Sequence, residues 1–196
     1  MIKIGVLAFH GDVIEHIEAV KKASKNLHIN NVDVIPVRTK EDLEVDGLII
    51  PGGESTTLFK LCQREGMFGK MKKIKKIFGT CAGAIMLAKN VLGAIDDQKT
   101  LELMDITVDR NAYGRQAESF EKRIETTLGK MEAVFIRAPK IKSIKENVQI
   151  LAKDEENIIA CEQKEADKYY LATCFHPELT TTIFHEYFLK KINPSS

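Results

Sequence analysis

The sequence predicts an α/β protein built on a mostly parallel sheet, with an antiparallel extension in its second half. Three observations predict it. Short, β-rich and almost wholly apolar runs alternate with helical stripes through the first half of the chain. A Gly-x-Cys-x-Gly turn, Gly79-Thr80-Cys81-Ala82-Gly83, joins one such run to a helical pattern. Beyond about Val91, short strand-like runs follow one another without clear helices between them.

Ile2-Lys3-Ile4-Gly5-Val6-Leu7-Ala8-Phe9 has the near-continuous apolar character of a strand buried on both faces. His10-Gly11-Asp12 turns into a helix, with Asp12 suited to the N-cap and Val13, Ile14, Ile17 and Val20 as its apolar stripe. Residues 32–37 form a second strand and residues 46–51 a third, so βαβ units and a parallel sheet follow. Ligands of such sheets bind at the carboxyl ends of the strands. The third strand ends at Pro51-Gly52-Gly53-Glu54-Ser55-Thr56, where paired glycines allow close backbone approach and Ser55 or Thr56 suits the next N-cap. That stretch reads as a plain turn or as an oxyanion hole made of fixed backbone donors. A phosphate-binding P-loop is excluded, since its lysine and spacing are missing. The basic run at 70–76 contains Met71 and Ile74 and reads as the solvated face of a helix.

Cys81 stands where a strand turns sharply into a helix. The nucleophile elbow of hydrolases uses the same design, and a helix N-terminus favours the reactive thiolate. A small buried core residue is the competing reading of any free cysteine. In the second half, residues 106–108, 133–136, 148–152 and 158–161 read as strands. Between the first two lies Asp109-Arg110-Asn111-Ala112-Tyr113-Gly114-Arg115-Gln116, either a solvated loop or one that offers an arginine fork to an anion. Tyr169 to Phe175 forms a last strand that runs into His176-Pro177-Glu178. In extended backbone His176 and Glu178 share a side, and a histidine oriented by a carboxylate is the base a cysteine hydrolase needs. The alternative is an imidazole capping a final helix that Thr180 or Thr181 could start. His10, also at a strand end, is the rival histidine; His16, His28 and His185 read as helix-surface positions.

The 196 residues suit one domain, 1–196, and the balance of 29 basic against 28 acidic residues leaves a net charge of +1. No bulk attraction to nucleic acid or anionic membrane follows. The four cysteines include no C-x-x-C pair, so no metal site or redox dithiol is signalled. With no secretory signal and no span of transmembrane length, a soluble, cytoplasmic protein is expected.

Taken together, Pro51-Gly52-Gly53, Gly79-Thr80-Cys81-Ala82-Gly83 and Phe175-His176-Pro177-Glu178 resemble the class I (triad) glutamine amidotransferases in content and order. The stretches Glu54-Ser55-Thr56-Thr57, Arg110-Asn111, Gly114-Arg115-Gln116, Ser119-Phe120-Glu121 and Phe135-Ile136-Arg137-Ala138-Pro139 are similar to the glutaminase subunits of pyridoxal 5′-phosphate synthases. The resemblance implies a three-layer, flavodoxin-like sheet with helices on both faces. It also implies a Cys81–His176–Glu178 triad that hydrolyses L-glutamine, with Gly53 and Ala82 N–H groups as the oxyanion hole. Gly52, Gly53, Glu54, Arg110, Ile136 and Arg137 would contact the substrate, and no metal or cofactor would take part. Ammonia would pass to a barrel-shaped synthase subunit in a hetero-oligomeric complex. The alternatives are a triad glutaminase serving another acceptor and a catalytically silent binding subunit. Two departures stand out: His10 where that subfamily generally has glutamine, and a longer connection around Lys25 to Asn31.

Overall fold

The structure is a computed structural model that describes residues 1–94, 99–112 and 119–193. The expected loop residues Tyr113, Gly114, Arg115 and Gln116 lie outside the described residues. Pairing and burial follow from the sequence element by element. The first half runs β1 (Ile2–Leu7), α1 (Val13–Asn26), β2 (Val32–Val37), β3 (Gly47–Ile50), α2 (Ser55–Arg64), α3 (Phe68–Met71), β4 (Lys76–Thr80) and α4 (Ala82–Leu87). The second half adds β5 (Ala88–Leu92), β6 (Met104–Asp109), β7 (Phe120–Thr126), β8 (Gly129–Phe135), β9 (Lys140–Ile144), β10 (Val148–Asp154), β11 (Asn157–Glu165), β12 (Lys168–Thr173) and α5 (Ile183–Ile192).

The main sheet has the order β2-β1-β3-β4-β12-β11-β10-β7-β8. Its first five strands are parallel, and from β11 onward the neighbours are antiparallel. β5, β6 and β9 form a branch that joins at β11. The mostly parallel sheet with an antiparallel extension is therefore as the sequence predicts. β12, the last strand of the chain, lies beside β4 with Thr173 opposite Thr80. That pairing sets the segment after β12 next to the segment after β4.

Neighbouring side chains of β4 point to opposite faces, and they identify the two helical layers. The Phe78 ring meets Phe184, His185 and Phe188 of α5 and His16 of α1. Gly79 faces α4 so closely that a Cβ there would stand 2.4 Å from the Gly83 carbonyl. With both faces covered, every residue of β3 is buried, which accounts for the unbroken apolar run in its sequence.

Several local expectations are corrected. α1 buries His16, Ala19, Val20 and Ala23, whereas Ile14, from the expected stripe, is 72% exposed. His16 and His185 are wholly buried; only His28 is at the surface, in the turn after α1 with φ 53°. The basic run at 70–76 is not one helix: α3 ends at Met71, a turn follows, and β4 begins at Lys76. Met71 and Ile74 are buried while Lys72, Lys73 and Lys75 reach solvent. Among the described residues no helix is long and apolar enough to cross a membrane.

Candidate active site

The carboxyl ends of β1, β3, β4 and β12 open into one cavity of about 760 Å³. It is lined by Asp12, Gly53, Glu54, Cys81, Arg110, Ile136, Arg137 and His176, among others. The parallel sheet thus gathers residues far apart in sequence at its carboxyl edge, where such folds bind ligands.

Cys81 sits between β4 and α4 with φ 51° and ψ −104°, a conformation a non-glycine residue adopts only when its surroundings enforce it. They do: its N–H donates to the Thr173 carbonyl at 2.8 Å, and Gly83 is packed against Ile50. The Cys81 Sγ lies 3.8 Å from the Ile136 carbonyl oxygen, which accepts a hydrogen bond from the thiol. Ala82 opens α4, so its N–H belongs to the first turn, which has no acceptor within the helix. Cys62, Cys161 and Cys174 are buried thiols, and burial pushes the first two up to about 12 and the third well above the usual value. Inertness of those three follows, since the thiolate is the nucleophile.

Gly52 explains how the ring and the thiol meet. A Cβ at that position would stand 2.4 Å from His176 Cε1, 3.2 Å from its Nε2 and 3.3 Å from the Cys81 Cβ. Only a residue without a side chain fits between them. Gly53 follows with φ +127°, and His10 packs against it: a Cβ there would be 2.1 Å from His10 Nδ1. His10, the rival histidine, is therefore a wall of the Gly52–Gly53 turn rather than the partner of Cys81.

His176 is buried, and its Nδ1 lies 2.8 Å from Glu178 Oε1. The two meet across a 3₁₀ turn, Pro177–Leu179, and not in extended backbone. A second carboxylate, which the sequence reading missed, reaches the same nitrogen: Asp12 Oδ2 is 3.0 Å away. Asp12 holds the N-cap position of α1 but makes no side-chain cap bond there. Burial opposes a charge on His176, yet Asp12, Cys81 and Glu178 outweigh it and raise the ring to about 12. A charged imidazole is the neighbour a thiolate needs. Burial likewise pushes the Glu178 carboxyl up, but His16 and His176 override it and hold it well below the usual carboxylate range. The ligand atoms of Asp12, His176 and Glu178 lie within 4.8 Å of one another, so this trio could also hold a metal ion. Hydrogen bonding already accounts for their arrangement.

Glu54 and Arg110, expected side by side at the substrate, meet each other. Glu54, not Ser55 or Thr56, caps α2 by accepting from the N–H groups of Thr56 and Thr57. Partial burial pushes its carboxyl up, but those bonds and the Thr57 hydroxyl bring it down to about 2. Arg110 donates to Glu54 at 3.1 Å and to the Thr56 hydroxyl at 3.0 Å. Arg137, with φ 45°, lines the same cavity beside Ile136.

A parallel α/β sheet with a strained cysteine elbow, and a histidine held by carboxylates at its carboxyl edge, is the design of a thiol-dependent hydrolase or transferase. Residues 6–194 match the profile of the SNO glutamine amidotransferase family, and the chain belongs to that family. It is 48% identical to a protein of Pyrococcus furiosus named pyridoxal 5′-phosphate synthase subunit PdxT, over 98% of this chain and 100% of that one. A protein of the same name from Desulforamulus reducens is also 48% identical, over 96% of this chain and 98% of the relative. A crystal structure titled glutamine amidotransferase is 42% identical, with a TM-score of 0.83 over 97% of this chain and 98% of that one.

Proposed function

We propose that the chain, as a single domain over residues 1–196, is the glutaminase subunit of a pyridoxal 5′-phosphate synthase. It hydrolyses L-glutamine to L-glutamate and ammonia, and ammonia passes to a synthase subunit in a hetero-oligomeric, cytoplasmic complex. Membership of the family and the names of its close relatives support the reaction and the partner. The observation that carries the mechanism is the placing of Cys81, at φ 51°, beside a His176 ring fixed by Glu178 at 2.8 Å.

In this reading Cys81 Sγ attacks the side-chain amide carbon, and His176 receives the thiol proton. Glu178 accepts from Nδ1–H, which leaves Nε2 on the side of the thiol. The tetrahedral oxyanion rests on the N–H groups of Gly53 and Ala82, which are fixed backbone donors. As it collapses, His176 gives the proton to the leaving ammonia, and water then cleaves the glutamyl thioester. The Glu54 carboxylate, held ionised at the cavity rim, attracts the substrate's α-ammonium group. Arg110 and Arg137 offer forks to its α-carboxylate, while Gly52 and Ile136 shape the wall beside the thiol.

Glutamate release from glutamine, by this chain alone and with a pyridoxal phosphate synthase subunit, tests the proposal. Release should rise with the partner and vanish in Cys81→Ala. Release indifferent to the partner would keep the glutaminase and remove the assigned acceptor; its absence in every mixture would leave a binding subunit.

A further inference from the structure

Behind Glu178 the structure continues in buried histidines that the triad does not use. Glu178 Oε1, already 2.8 Å from His176, is 3.4 Å from His16 Nε2. The same His16 nitrogen is 3.1 Å from the Thr80 hydroxyl, on the residue that precedes Cys81. Its other nitrogen, Nδ1, is 2.9 Å from His185 Nε2. The imidazoles of His16 and His185 are wholly buried, and Phe78 packs edge-on against both. A buried histidine pair is costly unless its hydrogen bonds serve something.

Hydrogen-bond accounting places a proton on His16 Nε2. An ionised carboxylate only accepts, so His16 must carry its proton on Nε2, facing Glu178 and Thr80. With His16 neutral, its Nδ1 accepts and His185 donates from Nε2; with His16 protonated, Nδ1 donates to His185 instead, and Nε2–H faces Glu178 in both cases. In either arrangement His185 Nδ1 is buried without a partner among the described residues. Burial and the neighbouring His16 hold His185 down to about 3, in keeping with a neutral ring. In both cases Glu178 receives a donation from His16 and a second from His176.

We propose that His16 is a positioning residue of the reaction: its Nε2–H fixes Glu178 from behind, so that Glu178 holds His176 against Cys81. The inference rests on the glutaminase reading for its role in turnover, but its geometry concerns the triad alone. α1 thus contributes two residues one turn apart to the same device, Asp12 at the front of His176 and His16 behind Glu178.

Two polar substitutions separate positioning from packing. In His16→Gln the side-chain amide N–H reaches the place of Nε2 and still donates to Glu178. In His16→Asn it reaches only the place of Nδ1, toward His185. Two rates are read: glutamate release with the synthase subunit present, and alkylation of Cys81 by iodoacetamide, with Cys81→Ser as the blank. The expected result is a kcat lower by roughly 10²-fold in His16→Asn with KM unchanged, the scale of an ångström-sized misplacement. Alkylation should slow in parallel, and His16→Gln should recover most of both. Placed on Glu178→Gln, His16→Asn should add little, because it acts through that carboxylate. Equal loss in Gln and Asn, or an Asn effect of full size on Glu178→Gln, would overturn the proposal. If the unmodified protein alkylates quickly but releases no glutamate with any partner, the function fails while the alkylation arm still decides the role of His16.

Discussion

At the scale of single residues, Asp12 shows how a site can hide in a structural position. Its place before a helical stripe marks it as an N-cap, and it is one, yet its carboxylate is turned to His176 at 3.0 Å. One Nδ1–H makes one good hydrogen bond, and Glu178 is the nearer acceptor; the contribution of Asp12 is its charge. Asp12→Asn keeps the shape and removes that charge, so the imidazolium and its thiolate partner become less favoured. Loss of an ion partner this close is worth about one unit in the acid–base equilibrium of the pair, so on the order of tenfold is the upper bound on the slowing of Cys81 alkylation. Glutamate release should fall less than in Glu178→Gln, where orientation is lost too; an equal fall would make Asp12 a second orienting group. Cys81, His176 and Glu178 were legible because glycine, proline and strand context surround them. Asp12 and His16 were not, because helical spacing is judged by apolar residues. The buried face of α1 is a histidine followed by Ala19, Val20 and Ala23, a stripe whose spacing is right but whose residues are small.

At the scale of elements, the parallel strands and the helices after Asp12 and Cys81 were readable from apolar runs and caps. β5, β7 and β9 were not: β5 and β9 lie in the branch and β7 lies next to the edge strand β8, and most of their exposed residues are polar. β7, for instance, shows Glu121, Lys122 and Arg123 in succession to solvent and alternates only from Arg123 to Thr126, where Ile124 and Thr126 are buried, a pattern too short to stand out. The β4–Cys81–α4 elbow was legible from its glycines, and the structure gives the reason. A Cβ on Gly83 would stand 2.0 Å from the Ile50 carbonyl oxygen and 3.1 Å from the Ile50 Cβ. Backbone cannot yield as a side-chain tip does, so Gly83→Ala should displace α4 from β3 and cost about 3 kcal/mol. In a chain this size that is a loss of roughly 6–12 °C in Tm. Gly69→Ala is the contrast, since nothing lies within 4 Å of its Cβ; in a helix, alanine there should be neutral or stabilising by up to about 1 kcal/mol. Thermal melts of the two variants check both signs, and equal melting would mean that the elbow is not packed as described.

At the scale of the whole molecule, the sheet brings charge chemistry from four strand ends and two helices into one buried core, and stability must then depend on pH. His176, raised to about 12, contributes stability that is full below its unfolded value of 6.5 and is lost as pH rises toward 12. His185 acts at the other end. Burial first, and His16 second, hold it near 3 against 6.5 in the unfolded chain. Between those values the unfolded chain binds a proton that the folded chain refuses, so stability falls as pH falls. The carboxyl of Glu178 adds its own loss only below its unfolded value of 4.5. Between pH 5.5 and 4.5 His176 is protonated in both states and Glu178 is largely ionised in both, so the slope there belongs to His185 rather than to the triad. One proton corresponds to a slope of about 1.4 kcal/mol per pH unit. His185→Phe keeps a ring beside Phe78 and removes the titration, so stability from urea unfolding at pH 5.5 and 4.5 should decline less steeply by about that amount. The absolute stability of the variant will be lower, because His16 Nδ1 loses its hydrogen-bond partner; the slope is the quantity that decides. An unchanged slope would mean that His185 takes its proton inside the folded core, and the contact between His16 and His185 would have to be redrawn with a charge at its far end.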